Sequence, residues 1–134
     1  KQFQAVVGTV SGNSISYGSA VTFEAGSTTD ISIAFDSNAN KVVIAYTDSS
    51  NSGYGTAIVG TVSGTSITFG TEAVFEAAAV NGKSIVFDST SNKVVIFYED
   101  DANNDYGTAV VGTVSGTSIS FGTPVVFEAK AFSS

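Results

Sequence analysis

A segment of 52 residues recurs along this chain without insertion or deletion, and this repeat limits what the chain can fold into. The hexapeptide Val-Gly-Thr-Val-Ser-Gly occurs at residues 7–12, 59–64 and 111–116. The tripeptide Phe-Glu-Ala keeps the same offset, at residues 23–25, 75–77 and 127–129. Each copy is therefore expected to form the same structural unit, and adjacent units are expected to pack together around a shared core.

Each copy contains four strand-like segments and no segment with helical spacing. We name the predicted strands A to D; in one copy they cover residues 31–36, 41–46, 57–62 and 66–75. Strand B reads Lys-Val-Val-Ile-Ala-Tyr, a continuous run that predicts burial on both faces. Strand D is interrupted at Gly70 and Thr71. Polar connections with turn-forming residues predict hairpins, with variable loops between B and C and between D and the next A, such as residues 78–82. The chain is predicted to be all-β and antiparallel.

Four short strands per repeat are typical of a β-propeller blade, whose two apolar faces are covered by neighbouring blades. On this interpretation residues 1–134 form a single repeat domain of about 2.5 blades, with a half repeat at 1–29 and full repeats at 30–81 and 82–134. A closed propeller needs about four blades or more. We therefore expect a homo-oligomer or a longer repeat array, because an isolated copy would expose apolar blade faces.

The residue types that the sequence lacks exclude most catalytic chemistry. There is no Cys, His, Met, Trp or Arg, so the chain has no imidazole base, no thiolate nucleophile and no soft-ligand metal site. The formal net charge of −7 disfavours nucleic acid as a partner. No apolar run approaches the roughly 18 residues of a membrane-spanning helix. We expect neither an enzyme nor a membrane-inserted protein.

Near the turn between strands C and D, residues 115–127 read Ser-Gly-Thr-Ser-Ile-Ser-Phe-Gly-Thr-Pro-Val-Val-Phe. This segment resembles the Asp-box repeats of sialidase-like propellers, in which a Ser-x-Asp-x-Gly-x-Thr-Trp turn precedes a proline-containing outer strand. Phe121 takes the place of the aromatic residue, and Pro124 begins the segment that is similar to the outer strand. The turn is one residue shorter and lacks the Asp and the Gly. The resemblance implies the propeller fold but not sialidase activity, because sialidases hold a sugar carboxylate with arginines. The tandem units also resemble repeat arrays of phage and marine bacterial surface or fibre proteins.

The B–C loop carries the candidate ligand-binding residues. Each copy places an aspartate, an asparagine and a tyrosine there, namely Asp48, Asn51 and Tyr54, and then Asp100, Asn103 and Tyr106. A tyrosine ring can stack on the apolar face of a sugar while Asp and Asn bind its hydroxyls, and repetition multiplies weak sites into avidity. The alternative is that each tyrosine packs against the next blade and that its hydroxyl caps a turn.

Calcium is a second interpretation of the same loop in the last copy. Asp101, Asn103 and Asp105 stand at alternate positions, as oxygen ligands do in calcium loops. The favoured interpretation is a solvated hairpin, because no glutamate follows at the distance that a calcium loop requires; position 112 is Gly. We therefore expect no cofactor, with calcium as the open alternative.

Two functional hypotheses follow from the sequence. The first is a non-enzymatic extracellular recognition module, lectin-like or adhesive, which binds carbohydrate through multivalent repeat loops. The second is a structural repeat of a phage tail fibre, spike or extracellular filament that has no ligand pocket. Both hypotheses predict a location outside the cell, on a cell surface or on a virion.

Overall fold

A computed structural model of the chain describes residues 2–131, which form antiparallel β-strands joined by short turns. This architecture confirms the predicted all-β class. Within these residues the helical segments are two 3₁₀ turns, at Ser49–Asn51 and Asp101–Asn103. The described residues include no helix with the length and apolarity needed to span a membrane.

Within residues 2–131 the strands pair into one nine-stranded sheet and two two-stranded sheets. We describe them as three layers that follow one another along the chain, the second and third layers being the two halves of the nine-stranded sheet. In the first layer β1 (Phe3–Ala5) pairs with β4 (Val21–Glu24), and β2 (Gly8–Ser11) pairs with β3 (Ser14–Tyr17). The second layer contains, in order of pairing, β5 (Thr28–Asp36), β6 (Lys41–Asp48) and β7 (Tyr54–Ser63). Its last position is shared by β8 (Ser66–Phe69) and the first half of β9 (Ala73–Asp88).

The third layer repeats this order 52 residues later. It contains the second half of β9, β10 (Lys93–Asp100), β11 (Tyr106–Ser115), β12 (Ser118–Phe121) and β13 (Val125–Ala131). Like the second layer, it divides its last position between two strands, because β12 and β13 both pair with β11. The interruption predicted in strand D is therefore present in each layer.

The long strand β9 joins the second and third layers without a loop. Ala79 pairs with Tyr54 of β7, and the next residue, Val80, pairs with Asp100 of β10. The sequence predicts a loop at residues 78–82, but β9 is continuous through this segment, in which Ala79 pairs with β7 whereas Val80 and Asn81 pair with β10. A register shift between β9 and β10 coincides with Gly82, whose φ of +52° suits a residue without a side chain.

Strand β6 is buried on both faces, as the sequence predicts for strand B. Val43 and Ala45 on one face and Ile44 and Tyr46 on the other are each at most 2% exposed. Val43 and Ala45 face the third layer and belong to the larger core, which also contains Ile96 of β10. Ile44 and Tyr46 face the first layer. Both faces of the middle layer are therefore buried against neighbouring layers at β6.

The same contacts recur at both interfaces between layers. Phe23 of the first layer meets Tyr46 edge-on with a ring-centroid distance of 5.5 Å, and Phe75 meets Tyr98 in the same way at 5.2 Å. Glycines allow close backbone approach at both interfaces, because a Cβ on Gly18 would overlap the carbonyl oxygen of Thr65 and a Cβ on Gly70 would overlap that of Thr117. One ring contact and one glycine contact per repeat thus fix how a layer lies on the next.

A buried lysine adds a polar contact between the second and third layers. The Lys83 ammonium donates to the carbonyl oxygen and to Oδ2 of Asp30, each at 3.0 Å, and to the hydroxyl of Thr47. Burial lowers the pKa of Lys83, and the Asp30 carboxylate opposes this shift. The three donors of the ammonium are all used, so the charge is buried with its partners in place.

Two isoleucines at equivalent positions test the layered packing. Ile85 is 5% exposed because the second layer covers it, whereas Ile33 is 58% exposed. We expect Ile85→Ala to lower the free energy of unfolding by about 2–5 kcal/mol, as for other core truncations. Ile33→Ala should cost about 0.5 kcal/mol or less. Urea unfolding at low protein concentration measures both, and equal losses would contradict the packing described.

Candidate functional site

The predicted ligand-binding residues lie at the tips of two hairpins. Asp48 is directly opposite Tyr54 where β6 meets β7, and Asp100 is directly opposite Tyr106 where β10 meets β11. Residues opposite one another in an antiparallel ladder have their side chains on the same face. The fold therefore places an aspartate beside a tyrosine in both copies, as the sugar-binding interpretation requires.

Both aspartates are also used by the turns that they precede. Asp48 accepts hydrogen bonds from the backbone N of Ser50 at 3.0 Å and from its hydroxyl at 2.6 Å. Asp100 accepts from the backbone N of Ala102 at 3.1 Å. Asp48 is buried, whereas Asn51 is exposed and the other members are half-buried, namely Tyr54, Asp100, Asn103 and Tyr106. Sugar binding at these tips stays a prediction.

The predicted calcium residues lie in and beside the second 3₁₀ turn. Asn81 on β9 donates through its side-chain amide to both oxygens of Asp101, at 2.9 Å each. Burial, followed by a hydrogen bond with Asp105, raises the pKa of Asp101. Asn103 is half-buried in the turn itself. The structure thus brings Asp101 and Asp105 together, and calcium binding by this loop stays a prediction.

A different acidic cluster is assembled from three separate elements. Glu24 ends β4, Asp48 ends β6, and Glu72 lies between β8 and β9. One carboxylate oxygen from each residue lies within 4.8 Å of the other two. Asp48 is buried, Glu24 is half-buried and Glu72 is exposed, so the cluster opens to solvent on the side of Glu72.

Neighbouring donors orient these carboxylates. The Tyr46 hydroxyl donates to Oε2 of Glu72 at 2.8 Å, and the backbone N of Gly26 donates to Oε1 of Glu24 at 2.6 Å. Burial, and then the bond to Glu72, raises the pKa of Tyr46, so this hydroxyl stays protonated. The same bond lowers the pKa of Glu72, but burial and the carboxylates of Glu24 and Asp48 outweigh it, so the pKa of Glu72 is raised overall. The cluster concentrates negative charge.

The next repeat shows what Glu72 adds. Glu76 and Asp100 are equivalent to Glu24 and Asp48, but Pro124 stands at the position of Glu72. There the Tyr98 hydroxyl donates directly to Oε1 of Glu76 at 2.8 Å. The sequence analysis did not single out this cluster. Its signal was an acidic residue at position 72 where the other copies have Ala20 and Pro124, together with two acidic positions that recur in the next copy.

The two ends of the layer stack expose apolar side chains. The face of the first layer that points away from the second, together with β5, exposes Ile15, Tyr17, Ile33 and Phe35. The outer face of the third layer exposes Val86, Phe97, Val111 and Phe127. The equivalents of these residues inside the stack are covered; Ile67 is 6% exposed where Ile15 is 50% exposed, and Val59 is 0% exposed where Val111 is 46% exposed. Among residues 2–131, the end faces therefore correspond to interlayer faces that no further layer covers.

Comparison of the chain with protein-family models, curated proteins and solved structures gives no match. The resemblance to Asp-box repeats thus stays a prediction.

Proposed function

We propose that this chain is a non-enzymatic structural module that builds an extended assembly by stacking its β layers end to end. The main support is that apolar residues exposed at the two ends of the stack have equivalents that are buried between layers inside the stack. A fibre, spike or filament outside the cell or on a virion is the kind of assembly that such a module serves. The occupant that we propose for an end face is a second copy of the same chain.

The interior of the chain supplies a template for this contact. Phe75, on the face of the second layer that meets the third, packs against Phe121 of the third layer with a ring-centroid distance of 5.8 Å. The first-layer residue equivalent to Phe121 is Tyr17. Phe127 is equivalent to Phe75 and is 50% exposed on the outer face of the third layer. In a stack of copies it meets the exposed face of the first layer of the next chain. Because the two surfaces differ, the contact is head to tail, and repetition gives a ring or an open filament.

One substitution makes the outer face of the third layer bulkier than its interior counterpart. Phe97 stands where the second layer has Ala45, and its ring meets Phe127 edge-on at 5.9 Å. Within residues 2–131 the first layer has strands only at the C and D positions. When copies stack as the layers do, Phe97 lies on the face that meets the next copy.

We also interpret each layer as a propeller-like blade. Four antiparallel strand positions per layer support this interpretation, as does a chain path that passes from the last position of one layer to the first position of the next. The turn between β11 and β12, where Gly116 has a φ of +61°, is the one that resembles an Asp-box. Head-to-tail stacking of such blades closes a ring of several chains if the rotation between layers permits it, and otherwise extends as a filament.

Matched valines test the stacking. Val111 on the end face is 46% exposed, and Val62 in the middle layer is 44% exposed. We expect the mass of the unmodified chain, measured by light scattering behind size exclusion, to rise with concentration above the 13.6 kDa of a monomer. Val111→Asp should abolish this rise, because it places a charge in the apolar contact. Val62→Asp adds the same charge outside the end faces and should leave the rise intact.

A strictly monomeric chain at millimolar concentration would rule out self-stacking. Association that survives Val111→Asp would place the contact on another surface. Thermal unfolding of both variants at low concentration checks that each remains folded.

Carbohydrate binding at the hairpin tips is the second candidate function, because an aspartate and a tyrosine share one face in both copies. If this candidate is correct, a glycan array should give signals that Tyr106→Ala weakens, since stacking of a sugar on the ring is lost. Tyr17→Ala, which removes an exposed tyrosine away from the tips, serves as the control. Silence of the array with calcium and with EDTA would remove this candidate.

A further inference from the structure

We propose that Glu24, Asp48 and Glu72, together with the hydroxyl of Thr28, form a Ca²⁺ site that joins the first layer to the second. The inference is independent of the stacking of copies. It also concerns a different place from the hairpin loop of Asp101, Asn103 and Asp105.

The Thr28 hydroxyl is the observation that separates this cluster from an ordinary acidic surface. Thr28 is 2% exposed, and its Oγ1 is buried without a hydrogen-bond partner. It is directly opposite Asp48 in the ladder between β5 and β6, so both side chains leave the sheet on the same face. A buried hydroxyl without a partner is costly. A cation held by Asp48 gives this oxygen the interaction that it lacks.

The segment between Glu24 and Thr28 is shaped around the same place. A Cβ on Gly26 would overlap the Ser50 hydroxyl, which itself donates to Asp48. The backbone therefore turns tightly past Ser50, and this turn brings both Glu24 and Thr28 next to Asp48. A side chain at position 26 would therefore require Ser50 to move.

The donor set indicates calcium rather than other metals. Three carboxylates and a hydroxyl are hard oxygen ligands, and the exposed side of Glu72 leaves room for water to complete a coordination of six to eight oxygens. Mg²⁺ demands a stricter octahedron and is usually held by fewer carboxylates. Zinc and copper prefer the nitrogen and sulfur ligands of His and Cys, which this chain lacks.

The site links parts of the molecule that are distant in sequence. Glu24 belongs to the first layer, whereas Thr28 and Asp48 belong to the second. A bound ion therefore resists separation of the two layers. The equivalent place between the second and third layers has Pro124 instead of a third carboxylate, so we expect one such ion per described chain.

Calcium titration of the full chain, after removal of metal with EDTA, tests the proposal. Isothermal calorimetry should show one Ca²⁺ per chain with a dissociation constant of about 0.1–1 mM, as in extracellular calcium modules. Glu72→Ala should weaken binding by about tenfold or more, because ligand charge sets affinity. This variant should fold, because the equivalent position 20 is Ala in another copy. Asp101→Asn is the matched control and should bind normally.

The Thr28→Val variant tests whether Thr28 is a calcium ligand or has only a structural role. Without calcium this variant should melt at a higher temperature, because the unpartnered hydroxyl is replaced by a methyl group. With calcium its affinity should fall several-fold, on the order of three- to tenfold, because one ligand is lost. Equal calcium affinity of Thr28→Val and the unmodified chain would overturn the role of Thr28.

Three other results would overturn the site itself. The first is an absence of binding heat and of any rise in melting temperature at 10 mM, roughly ten times the weaker dissociation constant expected. The second is undiminished binding by Glu72→Ala. The third is binding that only Asp101→Asn removes, which would locate the ion at the hairpin. Magnesium that matches calcium in affinity would contradict the proposed selectivity.

Discussion

Face-to-face burial of apolar sheets is the interaction on which the rest of this structure depends. A single four-stranded layer has two apolar faces and no helix or second sheet of its own to cover them. Strand β6 shows the solution, because Tyr46 packs under Phe23 of the first layer while Val43 is covered by the third. Hydrophobic burial scales with the area removed from water, so the middle layer gains from both neighbours and each end layer gains from one. The stability of a layer is therefore a property of its position in the stack.

Much of this fold could be predicted from the sequence, because the same strand pattern occurs in each repeat. Strand B was identified by an unbroken β-branched run. The double burial predicted from that run is present in β6 but not in the equivalent β10, where Phe97 is 38% exposed. The continuity of β9 could not be predicted, because it depends on partners in two different layers, Tyr54 and Asp100, which local sequence does not reveal. The acidic cluster was missed for a similar reason. Its carboxylates are contributed by three elements, whereas the candidates chosen from sequence are close neighbours within one loop.

The differences between copies are as informative as their agreement. Lys83 replaces the isoleucine found at position 31, and it bonds to Asp30 and Thr47 across an interlayer interface. Glu72 replaces alanine or proline and completes a three-carboxylate cluster at the other interface. The repeated strand arrangement thus includes polar contacts that occur at only one of the two interlayer interfaces. Such contacts distinguish otherwise similar interlayer interfaces.

Native-state hydrogen exchange measures the central claim most directly, because it reports the free energy of opening at individual amides. Ile44 of β6 and Ile96 of β10 occupy equivalent positions in nearly identical strands, but β10 has an outer face on which Phe97 is 38% exposed. At a concentration where the chain is monomeric, this account predicts slower exchange for the amide of Ile44 than for that of Ile96. Equal protection of the two amides, or greater protection of Ile96, would contradict the claim that coverage by neighbouring layers sets local stability.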